Sequence, residues 1–146
     1  MSRPSHDAFD LERFVSAQAA VIEQVRGELD AGHKRTHWMW FIFPQLRGLG
    51  HSATAQRYGI SGAPEAQAYL QHPILGPRLV ECTTLVNAVT GRSVHDIFGS
   101  PDDVKFRSSM TLFSQLPRAS AEFQQALERY FGGVPDPRTL QLLKAR

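Results

Sequence analysis

The stretch from His33 to Ser52 reads His-Lys-Arg-Thr-His-Trp-Met-Trp-Phe-Ile-Phe-Pro-Gln-Leu-Arg-Gly-Leu-Gly-His-Ser. It holds both tryptophans of the chain, and its apolar centre from Trp38 to Phe43 is bordered by polar residues on both sides. An apolar run of this kind is typical of a core element, whereas the polar residues at its ends indicate the wall of a pocket. The stretch therefore predicts a core element that borders a candidate binding site.

The apolar centre has no clear periodicity, so it is compatible with a buried strand or with a buried helix. A lone strand would leave its backbone groups without partners, and almost all of the remaining chain predicts helices. We therefore expect a short hydrophobic helix that is capped by Thr36. It should end near Phe43, because Pro44 disfavours helical geometry at the residue before it.

Helical patterns continue on both sides of this stretch. Apolar residues recur at intervals typical of one helix face between Asp10 and Ala31, which predicts one amphipathic helix that Asp7 or Asp10 caps. Ser100 followed by Pro101 and two aspartates predicts another helix start, with Ser100 as its cap. Further helices are expected over residues 52–58, 65–71, 72–90, 93–98, 100–116 and 119–131 and from residue 136 onward. The sequence predicts an all-α single domain over residues 1–146, with about seven or eight helices and residues 1–8 frayed.

Composition excludes several classes of function. The 146 residues carry a net charge of only +2, which does not indicate non-specific binding to nucleic acid. No apolar run is long enough to span a bilayer, so no membrane association is expected. The single cysteine, Cys82, excludes an internal disulfide, and together with an N-terminus that lacks an apolar signal core it predicts a cytoplasmic protein.

Metal and nucleophile motifs are weak. His33 and His37 are four residues apart, but Gly32 and Thr36 indicate a turn there instead of a helix face. Neither an HExxH motif nor a pair of CxxC motifs is present, so no metal and no cofactor are expected. Cys82 falls on the apolar face of its predicted helix, which is typical of a buried, inert thiol.

A cationic region surrounds the glycine turn Gly48–Ser52. The turn opens a helix, so its amide groups could hold an anion, and Lys34, Arg35 and Arg47 flank the same region. Cations beside indole rings would suit a phosphate attached to a stackable base. The alternative interpretation is that the tryptophans and phenylalanines simply form the core.

A second group of polar residues follows Ser100. A carboxylate and an amine at Asp102, Asp103 and Lys105 could act in general acid/base catalysis, or the amine could attack a carbonyl-like carbon. Lys105 and Ser108 are three residues apart and could form a Ser–Lys pair. The alternatives are that the aspartates compensate the helix dipole and that the serines line a polar helix face.

Two blocks of the chain resemble a known family. His37–Ser52 has the pattern HWMWFIFPQ…GLG.S, and the second block, Ile97 to Phe113, contains IFG, PDD and SSMTLF in the same order. Both are similar to the bacterial domain-of-unknown-function family eighteen-ten. The resemblance covers nearly the whole chain and implies a compact all-helical fold with a central hydrophobic helix, without an established activity.

That family is in turn distantly similar to the NADAR group of N-glycosidases, which act on ADP-ribose-type or riboside linkages. The similarity implies an N-glycosidase as one hypothesis. A non-catalytic nucleotide- or anion-binding module and a protein-interaction domain with an exposed aromatic block are the two alternatives, and the oligomeric state stays open. The candidate catalytic residues are Asp102, Asp103 and Lys105, and the candidate binding residues are Lys34, His37, Trp38, Trp40, Gln45, Arg47, Ser52, Ser108, Ser109 and Thr111.

Overall fold

The structure, a computed structural model, describes residues 7–146, and ten α-helices lie within them. In chain order they are α1 (Glu12–Ala19), α2 (Ile22–Asp30), α3 (Met39–Ile42), α4 (Ala53–Arg57), α5 (Ala63–Gln71), α6 (Leu75–Ala88), α7 (Val94–Phe98), α8 (Asp102–Ser114), α9 (Ala121–Phe131) and α10 (Pro137–Lys144). The all-α class is confirmed, with more helices than the seven or eight expected. The predicted fraying of residues 1–8 falls mostly on residues 1–6, which lie outside the described residues.

The apolar run of the opening stretch forms a helix, as predicted. Helix α3 spans Met39–Ile42 and ends before Pro44. The predicted cap is wrong, because Trp38 occupies the capping position and no side chain caps the helix. The Thr36 hydroxyl instead donates a 2.7 Å hydrogen bond to the Glu28 carboxylate, which draws it away from the start of α3.

The helix predicted between Asp10 and Ala31 is two helices. Val21, with φ −128° and ψ −4°, lies outside the helical region and separates α1 from α2. The break has no proline or glycine to announce it. Just before it, Gln18 donates hydrogen bonds to the Phe41 carbonyl and the Tyr69 hydroxyl, so contacts with other elements accompany the interruption.

Three helix starts have side-chain caps. At the predicted start of α4, Ser52 accepts a hydrogen bond from the Ala55 amide, and at the start of α10 Asp136 accepts one from the Thr139 amide. Ser93 forms a reciprocal capping box with Asp96 at the start of α7. The prediction that Ser100 caps α8 is wrong, since that helix begins at Asp102 without a side-chain cap.

Helix α8 is the central helix that the family resemblance implied. It packs against α3, α5, α7, α9 and α10, and every residue from Ser108 to Phe113 is buried. Its Phe106 ring lies 5.0 Å from the Phe43 ring and 4.7 Å from the Phe98 ring, measured between centroids. These aromatic contacts bring the opening stretch and the block after Ser100 to the same part of the molecule.

Within residues 7–146, no helix is both long and apolar enough to cross a membrane.

Candidate functional site

Lys34 and Asp102 join the two blocks directly. The Lys34 ammonium lies 2.7 Å from Oδ2 of Asp102 and donates a second hydrogen bond, also 2.7 Å long, to the Thr36 carbonyl. The lysine side chain is only 6% exposed, and its ammonium stands 4.9 Å from the centre of the Trp38 ring. Because an ammonium in this setting has a carboxylate, a carbonyl and an indole face as partners, Lys34 is held in one position.

Lys105 approaches the same carboxylate more loosely. Its ammonium lies 3.6 Å from Oδ1 of Asp102, which is beyond hydrogen-bond distance, and 4.3 Å from the centre of the Trp40 ring. Asp102 therefore stands between two ammonium groups, and we call these three residues the Lys34–Asp102–Lys105 cluster. The cluster carries one more positive than negative charge, and the excess lies on the more exposed Lys105, since Lys34 is closely paired.

The segment that carries Lys34 is fastened by a buried carboxylate. Oε1 of Glu28 accepts hydrogen bonds from the Arg35 amide, the Thr36 amide and the Trp38 indole N–H. Its Oε2 accepts from the Thr36 hydroxyl and from the Gln24 side chain. One side chain of α2 therefore fixes the course of the chain from residue 35 to residue 38, next to Lys34.

The charge of Glu28 is strongly stabilised by these donors. Burial alone would raise its pKa, but the hydrogen bonds from the Thr36 hydroxyl, the Arg35 amide, the Trp38 indole and the Thr36 amide outweigh that effect. They lower the pKa of Glu28 from 4.5 to about 2. Glu28 is thus an anion at neutral pH, although the residue is only 8% exposed.

A small groove opens beside the cluster and shares Lys105 with it. It has a volume of about 210 Å³ and is formed by the turn before α4, the start of α8 and the start of α10. We call it the α8 groove, and its polar side chains are Gln45, Lys105, Ser108, Asp136 and Arg138. Leu49, Pro101 and Val104 supply apolar wall.

Asp136 presents one free oxygen in this groove. Its Oδ2 accepts hydrogen bonds from the Thr139 amide, the Thr139 hydroxyl and the Ser108 hydroxyl, at 3.1, 2.6 and 3.3 Å. Its Oδ1 accepts none from any residue between 7 and 146. The Arg138 guanidinium likewise has no hydrogen bond or ion pair with the described part of the chain, so both groups are available to a ligand.

Several predicted site residues lie elsewhere or have other partners. Asp103 pairs with His95 at 3.2 Å, and Arg47 donates to the carbonyls of Gln56 and Gly59. Ser52 is used as the cap of α4. His37 is exposed, without a hydrogen bond to the described residues.

The tryptophans cannot serve as a stacking platform in the way the sequence suggested. Trp38 is 1% exposed and belongs to the core, so it has no free ring face for a base. Trp40 is partly exposed, and the Lys105 ammonium covers one of its faces. The expectation that Trp38 stacks a base is therefore wrong, and for Trp40 at most one face is open.

The polar residues of α8 are mostly interior. Thr111 is fully buried and accepts a hydrogen bond from the Asp136 amide, which positions the start of α10. Ser109 is also fully buried, and its hydroxyl has no partner among residues 7–146. Ser108 lines the α8 groove but hydrogen-bonds to Val104 and Asp136, so no Ser–Lys pair with Lys105 is formed.

Sequence reasoning missed Glu28, Asp136 and Arg138. Glu28 lies on a helix among residues that read as a solvated face, and its partners come from the following loop. For Asp136 and Arg138 the sequence predicts only that a helix starts at residue 136, which the Asp136-Pro137 pair indicates. Nothing in the local pattern indicated that this start packs beside Ser108.

A larger groove, of about 690 Å³, lies between α5, α6 and the loop before α9. Its carboxylate, Glu81, is already paired with Arg26 at 3.1 Å, and Arg118 is the cation that lines it. It shares none of the predicted site residues. Within residues 7–146, no three His, Cys, Asp or Glu side chains are grouped so that they could hold a metal ion.

Comparison with known families identifies the chain. The family model "Protein of unknown function (DUF1810)" matches residues 8–143. The chain belongs to the DUF1810 family. It is also similar to the conserved hypothetical protein Rv1873 from Mycobacterium tuberculosis, whose crystal structure was determined at 1.38 Å, with 62% identity and a TM-score of 0.93. That match covers 94% of this chain and 99% of the other.

The resemblance to family eighteen-ten is thereby confirmed, and DUF1810 is a family of unknown function. Comparison with curated proteins gives no match. Neither the DUF1810 family model nor the match to Rv1873 points to an N-glycosidase of the NADAR group, so that distant similarity is not confirmed.

Proposed function

We propose that the protein binds a small anionic ligand in the α8 groove. The observation that carries the proposal is the presence of two cations, Lys105 and Arg138, in one small groove. Arg138 has no ion pair within residues 7–146, and Lys105 is 3.6 Å from its nearest carboxylate oxygen. A guanidinium and an ammonium with unused donors can both bind one anionic group.

The pairing of Lys34 with Asp102 supports this role for Lys105. Asp102 already pairs with Lys34 at 2.7 Å, so its negative charge stays paired when Lys105 moves away. Burial of Lys34 at 6% exposure makes it a fixed structural cation, whereas Lys105 at 22% reaches the groove. Lys105 can therefore turn from Asp102 to an arriving anion.

The volume of the groove restricts the size of the ligand. About 210 Å³ is smaller than the roughly 300–1,000 Å³ that is usual for drug-sized ligands. With Trp38 buried and one face of Trp40 covered, a nucleobase has no evident stacking partner. The geometry favours a compact anion of the size of a phosphorylated or carboxylated sugar over a complete dinucleotide.

Calorimetry with inorganic phosphate and ribose 5-phosphate tests the proposal. We expect saturable binding that weakens at least tenfold in Lys105→Gln and in Arg138→Gln. Lys144→Gln is the matched control, because Lys144 is an exposed cation of α10 that does not line the groove. Absence of binding, or equal binding by all four proteins, would overturn the proposal.

An N-glycosidase activity is the second candidate, and Asp136 is the observation that favours it. Cleavage of an N-glycosidic bond passes through an oxocarbenium-like transition state that a carboxylate stabilises. Asp102 faces two ammonium groups, whereas Oδ1 of Asp136 lies unpaired in the same groove as Lys105. Asp136 therefore suits that role better than the aspartates predicted from the sequence.

Incubation with NAD, ADP-ribose and ribosides, followed by mass spectrometry, separates the two candidates. An enzyme would release a free base or sugar, and Asp136→Asn and Lys105→Ala would abolish the product. Binding without any product supports the non-catalytic module. An exposed aromatic block for a protein partner finds no support, because Trp38 and Phe43 are each 1% exposed.

A further inference from the structure

We infer that the ligand of the α8 groove carries a hydrogen-bond donor, a hydroxyl or an ammonium, close to its anionic group, and that Asp136 binds this donor. The inference rests on the proposed function and specifies the chemistry of the ligand for that same groove. It concerns selectivity among anions, which the two cations alone would not provide.

The Asp136 carboxylate has one oxygen that is held by donors and one that has no partner among residues 7–146. Three donors, two from Thr139 and one from Ser108, converge on its Oδ2, which holds the carboxylate in place. Oδ1 accepts nothing from residues 7–146 and is not enclosed. An ionised carboxylate oxygen only accepts hydrogen bonds, so the ligand atom that approaches Oδ1 has to be a donor.

The groove carries charged groups of both signs. Lys105 and Arg138 attract an anionic group, and Asp136 repels it from the same small space of about 210 Å³. A plain anion desolvates the Asp136 carboxylate without compensating it, which opposes binding. A ligand with a hydroxyl or an ammonium next to its anionic group can pair with the two cations and with Asp136 at the same time.

The remaining walls of the groove combine a side-chain amide with short apolar side chains. The Gln45 amide has no hydrogen bond to the described residues and offers both a donor and an acceptor. Leu49 and Val104 supply short apolar surface, and Val104 is 57% exposed. This lining suits a short carbon backbone with polar substituents, such as a sugar phosphate, a hydroxy acid or an amino acid.

Matched pairs of ligands test the inference by calorimetry. Methyl phosphate is compared with ribose 5-phosphate, and acetate is compared with glycolate and with glycine, all at pH 8, where methyl phosphate and acetate carry no hydrogen-bond donor. In the wild-type protein we expect the donor-bearing member of at least one pair to bind at least tenfold more tightly than the plain anion. The pair that shows the effect identifies the anionic group of the ligand as a phosphate or a carboxylate. The comparison of glycolate with glycine identifies the donor as a hydroxyl or an ammonium.

Asp136→Asn is the decisive variant. Asparagine also caps helices, so α10 can keep its start, while an amide replaces the acceptor-only carboxylate. We expect the tenfold preference to fall below twofold, with the plain anion bound as well as before or better. If Asp136→Asn does not fold, Asp136→Ser is measured in its place. This variant keeps a capping oxygen but loses the second acceptor, so it should show the same loss of preference.

The outcomes separate the inference from the proposed function. Anion binding that depends on Arg138 but shows no donor preference in the wild type would overturn the inference alone. A donor preference that persists in the folded Asp136 variants would also overturn the inference alone. Absence of any anion binding, or binding that is indifferent to Arg138→Gln and Lys105→Gln, would overturn both.

Discussion

The indole N–H of Trp38 donates a 2.9 Å hydrogen bond to Oε1 of Glu28, so an aromatic residue of the core and a buried carboxylate ten positions earlier are directly joined. The same oxygen accepts the amides of Arg35 and Thr36. The bond thus connects helix α2, the loop that carries Lys34 and the start of α3.

Glu28→Gln should therefore destabilise the protein in a pH-dependent manner. The folded protein holds the pKa of Glu28 at about 2 instead of 4.5, so the ionised form contributes to the free energy of unfolding at neutral pH. This contribution is on the order of 3 kcal/mol, and it is lost as the pH falls from about 4.5 to about 2. Urea titrations at pH 7 and pH 2.5 should show a large difference between variant and wild type only at the higher pH.

The matched control is Glu23→Gln on the same helix. Glu23 is 84% exposed and, among residues 7–146, pairs only with Arg26, so its replacement should change the free energy of unfolding by less than about 1 kcal/mol. An equal loss of stability at both pH values in Glu28→Gln would contradict the assigned role of the charge.

Lys34 and Lys105 should differ strongly in their effects on stability. Lys34→Met removes a 2.7 Å ion pair and a hydrogen bond from a side chain that is 6% exposed, and we expect a loss of about 2–4 kcal/mol. Lys105→Met should cost less than about 1 kcal/mol, because that ammonium is more exposed and 3.6 Å from Asp102. Similar losses in the two variants, measured by urea denaturation, would refute this division between a structural and a ligand-binding lysine.

The two tryptophans should have different fluorescence. Trp38, at 1% exposure, should dominate the emission of Trp40→Phe with a blue-shifted spectrum that acrylamide quenches poorly. Trp40 is partly exposed beneath Lys105 and should be quenched more readily in Trp38→Phe. Efficient quenching in Trp40→Phe would contradict a core position for Trp38.

Replacement by alanine should change the free energy of unfolding in opposite directions at Gly76 and at Gly27. A Cβ at Gly76 would clash with the carbonyl oxygen of Leu70, so the backbone has to move to accept it. We expect Gly76→Ala to lower the free energy of unfolding by more than about 2 kcal/mol. Gly27 lies within α2 with nothing near its missing Cβ, so Gly27→Ala should stabilise by about 0.5–1 kcal/mol. Thermal denaturation of both variants checks the contrast, and a stabilised Gly76→Ala would contradict the close approach.

Much of the fold could be predicted because local chemistry determines where helices begin and end. Ser52 and Asp136 lie at helix starts that the sequence predicts, and Pro44 follows the end of α3. The break at Val21 could not be predicted, since the groups that Gln18 contacts just before it, the Phe41 carbonyl and the Tyr69 hydroxyl, are distant in sequence.

The candidate site was predictable in part for the same reason. The opening stretch and the block after Ser100 meet through Lys34 and Asp102, which are two of the predicted site residues. The groove residues Asp136 and Arg138 were missed because they approach α8 only through tertiary packing. Local patterns determine helix ends, whereas the partners of Glu28 and Asp136 depend on how distant segments pack.

The α8 groove draws its walls from residues 45–50, 101–108 and 136–138. During synthesis the ribosome releases these segments in that order, so a nascent chain that has not yet reached Asp136 lacks this carboxylate and one of the two cations. Ligand capture would accordingly require a chain that has been synthesised past Arg138. A fragment cut before Asp136 would retain both tryptophans, Lys34 and Asp102, yet of the three charged groups that are proposed to select the ligand it would have only Lys105.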